Sequence, residues 1–181
     1  MKKSGRNSRP RGRNDSKRVS KSLGFRVFPH LADRQLSSKR RGELAELAFA
    51  YKAASKGFHI SKPYGDNERY DFVLDNGHRL WRVQVKCTNS MLFDLYHLNT
   101  MRRLNGRAVP YRIGEIDFLA AYIFPEDTWF ILPVRAIHRR PGLLFAPRGY
   151  SPHHSPSRPA KMLFKWQLLE VYREAWPLLR K

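Results

Sequence analysis

Asp71, Gln84, Lys86 and, earlier in the chain, Glu46 carry residue types that together can do phosphoryl chemistry. The first three belong to one stretch, YDFVLDNGHRLWRVQVKCT (70–88), in which two apolar-rich runs flank Asn76-Gly77. Taken as a two-residue hairpin turn, Asn76-Gly77 pairs Asp75 with His78, Val73 with Leu80 and Asp71 with Arg82. Side chains alternate along a strand, so Leu80, Arg82, Gln84 and Lys86 share a face. Asp71 joins them, opposite Arg82 and diagonal to Gln84, at about the 7–8 Å of diagonal neighbours. Trp81, Val83, Val85 and Cys87 point the other way, into a core. A four-residue loop keeps this cluster, whereas a three-residue loop shifts the register by one and breaks it.

A carboxylate, an amide oxygen and a main-chain carbonyl are the donors a hard cation prefers. Asp71 supplies the charge, Gln84 a neutral oxygen, and the Val85 carbonyl a third ligand. Such an ion polarises a phosphoryl oxygen and lowers the pKa of a bound water. Lys86 can orient that water or stabilise developing charge. Glu46 can complete the site from outside the sheet, as a ligand through water or as a base. The competing reading is plain: Asp71 and Arg82 form a cross-strand ion pair on a solvated face, with no chemistry.

The positioning elements follow from the pattern around these residues. SKRRGELAELAFAYKAASKG (38–57) reads as a helix capped by Ser37 or Ser38 and closed by Gly57. Leu44, Leu47, Ala48, Tyr51 and Ala54 form its apolar stripe, with Glu43 and Glu46 on the neighbouring flank. A strand is expected near 58–61, another extended segment near 91–98, and a basic loop over MRRLNGRAVPYRIGE (101–115). IDFLAAYIFPEDTWFILPV (116–134) reads as two buried strands around Pro125-Glu126-Asp127. Residues 136–160, rich in Arg, Pro and His, read as an extended arm, and 161–181 as a C-terminal helix. The order of elements fits an α/β or α+β sandwich around a mixed sheet.

The charge names the partner class. The 181 residues carry a net +20, a field that attracts polyanions. Residues 1–41 hold fourteen Lys or Arg against Asp15 and Asp33, so +12 of the +20 lies there. That segment up to about residue 37 has too few apolar residues to offset its ordering entropy and reads as a disordered, phosphate-tracking tail. Cys87 is the only cysteine, which excludes an intrachain disulfide and a Cys-based zinc site. No apolar run approaches the roughly 20 residues of a membrane span. The expectation is a cytoplasmic protein, nucleoid-associated when bound to DNA. A ribosomal-type RNA binder fits the charge as well.

Glu46, Asp71 and Gln84-Val85-Lys86, in that order, resemble the PD-(D/E)XK nuclease superfamily. More narrowly, GELAE (42–46), PYGDNERYDFVLD (63–75), RVQVK (82–86), YRIGEIDFLAAY (111–122) and WFILPV (129–134) are similar to its group I intron homing endonucleases and their bacterial relatives. The resemblance implies a restriction-endonuclease-like α/β core over 38–135, a central mixed β-sheet flanked by helices. It implies cleavage of double-stranded DNA dependent on Mg²⁺ or Mn²⁺, with Glu46, Asp71, Gln84 and Lys86 in the active site and Asp71, Gln84 and Val85 as the metal ligands. It favours Glu46 over Glu43 and implies self-association, since one site cuts one strand at a time. Gln84 stands where most of the superfamily has an acid, which removes one negative charge from the metal site. Arg40, Arg41, Arg102, Arg103 and Arg107 are the expected DNA contacts. Glu115 and Asp117 in GEIDF read as structural acids. Two other functions stay open on the same fold: a non-catalytic nucleic-acid binder, and a structure-selective nuclease of junction-resolvase type.

Overall fold

The computed structural model describes residues 36–65, 67–92, 95–147 and 169–181. The expected basic tail, the arm from 148 onward and the start of the C-terminal helix lie outside the described residues. Helix α1 spans Ser38–Ser55. Ser37 caps it, its hydroxyl accepting from the Arg40 N–H at 3.2 Å. Gly57, at φ +82°, follows its end in a conformation that side chains resist.

The buried face of α1 differs from the expected stripe. Ala45, Ala48, Phe49 and Ala53 are buried, while Leu47 and Tyr51 are 62% and 57% exposed. One residue of offset turns a helix by about 100°. The alanines let the helix axis lie close to the sheet, and Phe49 is the one large side chain the helix buries fully. Its ring lies 5.4 Å from Phe72 and 5.6 Å from both Trp129 and Trp176.

The strands are β1 (His59–Ser61), β2 (Phe72–Asp75), β3 (Leu80–Thr88), β4 (Met91–Leu92), β5 (Leu95–Asn99), β6 (Met101–Leu104), β7 (Arg107–Pro110), β8 (Phe118–Ile123), β9 (Thr128–Pro133) and β10 (Gly142–Phe145). The main sheet runs β1-β2-β3-β8-β9. Only β3 and β8 pair in parallel, so the sheet is mixed. All of β8 is buried, because both of its faces are covered. Phe118, Ala120 and Tyr122 pack on the α1 side. Leu119, Ala121 and Ile123 pack on the other side, with Leu98, Leu143 and Phe145.

That second face is covered, among the described residues, by a small antiparallel sheet of order β10-β5-β4 and the short helix α2 (Val134–Ile137). Residues 136–147, expected as the start of an extended arm, therefore continue the fold: Leu143 and Phe145 are 3% and 1% exposed. The expected basic loop is also corrected. Its first two thirds, 101–110, form the hairpin β6-β7, turned by Asn105 and Gly106 at φ 49° and 76°, as a type I′ turn requires. At the C-terminus Leu169 and Glu170 are helical, and Trp176–Arg180 form a 3₁₀ turn with Pro177 inside it. Trp176 and Leu179 from that turn seal the α1 side of the core. No described helix is long and apolar enough to cross a membrane.

Candidate active site

The hairpin that carries the site turns one residue later than expected. Asp75 pairs with Leu80 and Val73 with Arg82, which leaves Gly77 and His78 at the tip. The Asn76 side chain causes the shift. Its Oδ1 accepts from the His78 and Arg79 N–H groups at 2.9 and 2.8 Å, and its amide donates to the Leu179 carbonyl at 2.8 Å. A one-residue displacement of the tip moves partners by two, so the faces survive and the neighbours change. The expected Asp71–Arg82 pairing is thereby replaced. Asp71 meets Gln84, and Arg82 turns to Asp117.

Asp71 lies just before β2. Its Oδ2 accepts from Gln84 Nε2 at 2.6 Å and from the Val85 N–H at 2.7 Å. Gln84 Nε2 also donates to the Val85 carbonyl at 3.2 Å. Both groups facing that nitrogen are acceptors, which sets the amide's orientation in the metal-free protein. Burial pushes the Asp71 carboxyl up to about 6, against the hydrogen bond from Val85 and with help from the charge of Glu46. Lys86 follows on the same face of β3. Its ammonium donates to the Met101 carbonyl at 3.0 Å and lies 5.9 Å from the Tyr111 ring centre. Burial holds its pKa below the usual lysine value, and the Asp71 charge opposes that shift.

Glu46 reaches this neighbourhood from α1, where its Oε2 accepts from Lys62 Nζ at 2.7 Å. Glu43 instead pairs with Arg40 at 3.2 Å, out on the solvent side. Of the two helix acids, Glu46 is the one whose charge bears on Asp71.

The donor chemistry fits a hard divalent cation. Among the described residues no donor reaches Asp71 Oδ1 or the Gln84 side-chain carbonyl, so both oxygens have lone pairs to give. No group of three His, Cys, Asp or Glu side chains forms among the described residues. An ion here would take the place of Gln84 Nε2, with the amide turned to present its oxygen, beside the Val85 carbonyl and a single close carboxylate.

GEIDF has a different fate. Glu115 accepts from Arg102 at 2.9 Å, from Arg69 at 3.0 Å and from the Arg112 N–H at 2.9 Å. Burial works against its charge, but the hydrogen bonds from Arg112 and Arg102 outweigh it and hold the carboxyl below its usual value. Asp117 takes a forked contact from Arg82, with N···O distances of 3.2 and 3.1 Å, and the Arg82 N–H at 2.8 Å. Both acids tie the β8 end of the site to β3 and β6.

The expected DNA contacts split along the same line. Arg102 is committed to Glu115, with 13% of its side chain exposed. Arg41 donates to the Leu36 carbonyl and Arg40 pairs with Glu43. Arg103 and Arg107 stand exposed on the β6-β7 hairpin. A cleft of about 310 Å³ joins Arg103 and Arg69 to Gln84 and Tyr111. A second, about 430 Å³, passes Lys86, Val85, His97 and Gly42. Reading the sequence missed Lys62 and Arg69. Lys62 lies 16 residues from Glu46 with no periodicity to link them, and Arg69 was visible only as a letter inside GDNERYD.

A model of the PD-(D/E)XK endonuclease family matches residues 36–141. A solved structure titled "The structure of a bacterial homing endonuclease: I-Ssp6803I" is 28% identical, with a TM-score of 0.64, over 80% of this chain and 94% of that chain. None of the curated proteins matches.

Proposed function

The chain belongs to the PD-(D/E)XK endonuclease family, and from that premise we propose that it cuts double-stranded DNA at a specific site, with Mg²⁺ or Mn²⁺ held by Asp71, Gln84 and the Val85 carbonyl. When bound, the ion supplies Lewis-acid polarisation of the scissile phosphate and a more acidic water. Asp71 contributes the charge of the ligand set and is fully ionised only above its raised pKa of about 6. In the metal-free protein a proton therefore competes with the ion for Asp71, and half-maximal cleavage calls for more metal as pH falls below about 6. Lys86 exchanges the Met101 carbonyl for the attacking water or a non-bridging oxygen. Its ammonium then offsets charge as it develops, in a half-buried setting where that interaction is strong. Glu46 completes the acid set and receives or orients a water proton.

The observation that carries this reading is the junction of Asp71 and Gln84 at 2.6 Å, with Lys86 next on the same strand face and Glu46 alongside. Site specificity rests on the likeness to a homing endonuclease structure. One site per chain cuts one strand, so a double-strand break calls for a second copy. The test is supercoiled plasmid incubated with Mg²⁺ or with EDTA, beside Lys86→Ala. Nicking or linearisation that needs the metal and vanishes in the variant supports the reading. Cutting by Lys86→Ala at the wild-type rate would overturn the site.

A further inference from the structure

Glu46 differs from Asp71 in that a cation already holds it. Lys62 Nζ lies 2.7 Å from Glu46 Oε2, and the Lys62 side chain is 62% exposed against 27% for Glu46. The same ammonium sits 5.7 Å from the ring centre of Phe72, the residue next to Asp71. Lys62 thus belongs to the acid cluster spatially, although it comes from the segment after β1. Its pKa is raised by the hydrogen bond to Glu46, over the opposing effect of burial, with further help from the charges of Asp71 and Glu43.

We propose that Lys62 is the resident cation of the Glu46–Asp71 acid pair, and that a divalent ion held by Asp71, with Glu46 a ligand through water, competes with it for that negative charge. This rests on the metal-dependent reading above and assigns a role to a residue outside that reading's site. Three properties suit Lys62 to the part. One unit of charge neutralises Glu46 while the ion is absent. Exposure keeps the ammonium hydrated, so release is cheap, because exposed ion pairs are weak. Finally, the lysine stem is flexible, so the freed ammonium can turn to a DNA phosphate nearby. Lys62 is a positioning residue: it holds Glu46 while the ion is absent and sets the threshold for metal entry.

The test is Mn²⁺ binding to the full chain without DNA, followed by the electron paramagnetic resonance of free Mn²⁺, in wild type, Lys62→Met, Lys62→Arg, Glu46→Gln and the Lys62→Met/Glu46→Gln double variant. Lys62→Met should bind Mn²⁺ about three- to fivefold more tightly, the ratio set by the strength of an exposed ion pair. Lys62→Arg should resemble wild type. In the Glu46→Gln background the same Lys62 change should alter binding less than twofold, because the coupling runs through that pair. Unchanged or weaker binding by Lys62→Met overturns the proposal, as does equal tightening in the Glu46→Gln background, which would mark a diffuse charge effect. Asp71→Asn separates the two levels. If wild-type Mn²⁺ binding does not depend on Asp71, the metal site itself fails. If it does and Lys62→Met has no effect, only the role of Lys62 fails.

Discussion

Two acid–cation clusters sit side by side on β3, and they are built to opposite ends. At Arg82, the Asp117 carboxylate receives a forked guanidinium and a main-chain N–H, and nearby Glu115 is gripped by Arg102, Arg69 and the Arg112 N–H. Two residues along the strand, Asp71 has only an amide and one N–H, both on the same oxygen. Its carboxyl is pushed up to about 6, while that of Glu115 is held below normal. Lys86 has no carboxylate partner among the described residues; its ammonium donates to the Met101 carbonyl and lies near the Tyr111 ring. Satisfied acids hold the fold together. An acid with an open oxygen, beside a lysine that burial disfavours in its charged form, is free to bind something else.

The largest way to break this contrast is chemical. Lys86→Ala and Asp71→Asn should each lower plasmid cleavage by at least about 10³-fold, the scale of losing a preorganised charge at the reacting centre. Duplex binding in Ca²⁺, read by gel shift, should stay within about threefold of wild type for Lys86→Ala, since the basic surface is elsewhere. The converse change strikes the other cluster. Glu115→Ala strands Arg102, whose side chain is 13% exposed, and should cost about 2–4 kcal/mol. Calorimetry should show Tm lower by roughly 5–10 °C for a chain of this size. Cleavage per folded molecule at low temperature should stay within tenfold. A Glu115→Ala protein that is stable but inactive would move Glu115 into the site.

The cluster at Asp71 was legible in the sequence for a reason that survived an error. Alternation fixes faces, and a hairpin tip moved by one residue still leaves Asp71, Gln84 and Lys86 on one side. What alternation does not fix is the partner, which the Asn76 side chain decided by taking two main-chain N–H groups. The buried face of α1 was misread because Leu47 and Tyr51 are apolar yet lie outward. Close helix–sheet packing selects small residues that hydropathy ranks low. The β6-β7 hairpin was hidden by its charges: Asn105-Gly106 is a strong turn signal, but Arg102, Arg103 and Arg107 around it look like a loop. Lys62 reached Glu46 through tertiary folding alone, which no spacing encodes.

A smaller effect sharpens the contrast through pH. The folded state holds the Asp71 proton more tightly than the unfolded chain does, with a pKa near 6 against the ordinary 3.8. Between those values the folded state binds more protons, so this group's contribution to stability falls as pH rises toward and through 6. Asp71→Asn keeps an oxygen for the Gln84 and Val85 donors and removes the buried charge. Without divalent ions it should be more stable than wild type at pH 8, on the order of 1–3 kcal/mol. The advantage should shrink as pH falls and nearly vanish by about pH 4. Thermal melts across that range check it; an equal gap at pH 4 and pH 8 would remove the buried-charge account of Asp71.

The smallest effect separates neighbouring arginines on one hairpin. Arg102 and Arg103 are adjacent in β6, yet one is locked to Glu115 and the other donates only to the Gly106 carbonyl at 2.9 Å, exposed. Arg103→Ala, or Arg107→Ala, should leave Tm unchanged within about 0.5 kcal/mol of stability. Each should weaken duplex binding modestly and reduce the slope of log K against log salt by about 1. Arg102→Ala should do the reverse, lowering Tm because Glu115 loses its forked partner, with little change in the salt slope of the folded protein. If both variants alter the salt slope alike, the Glu115 pair opens on DNA, and the division between structural and DNA-facing charge on this hairpin is not the one drawn by the free protein.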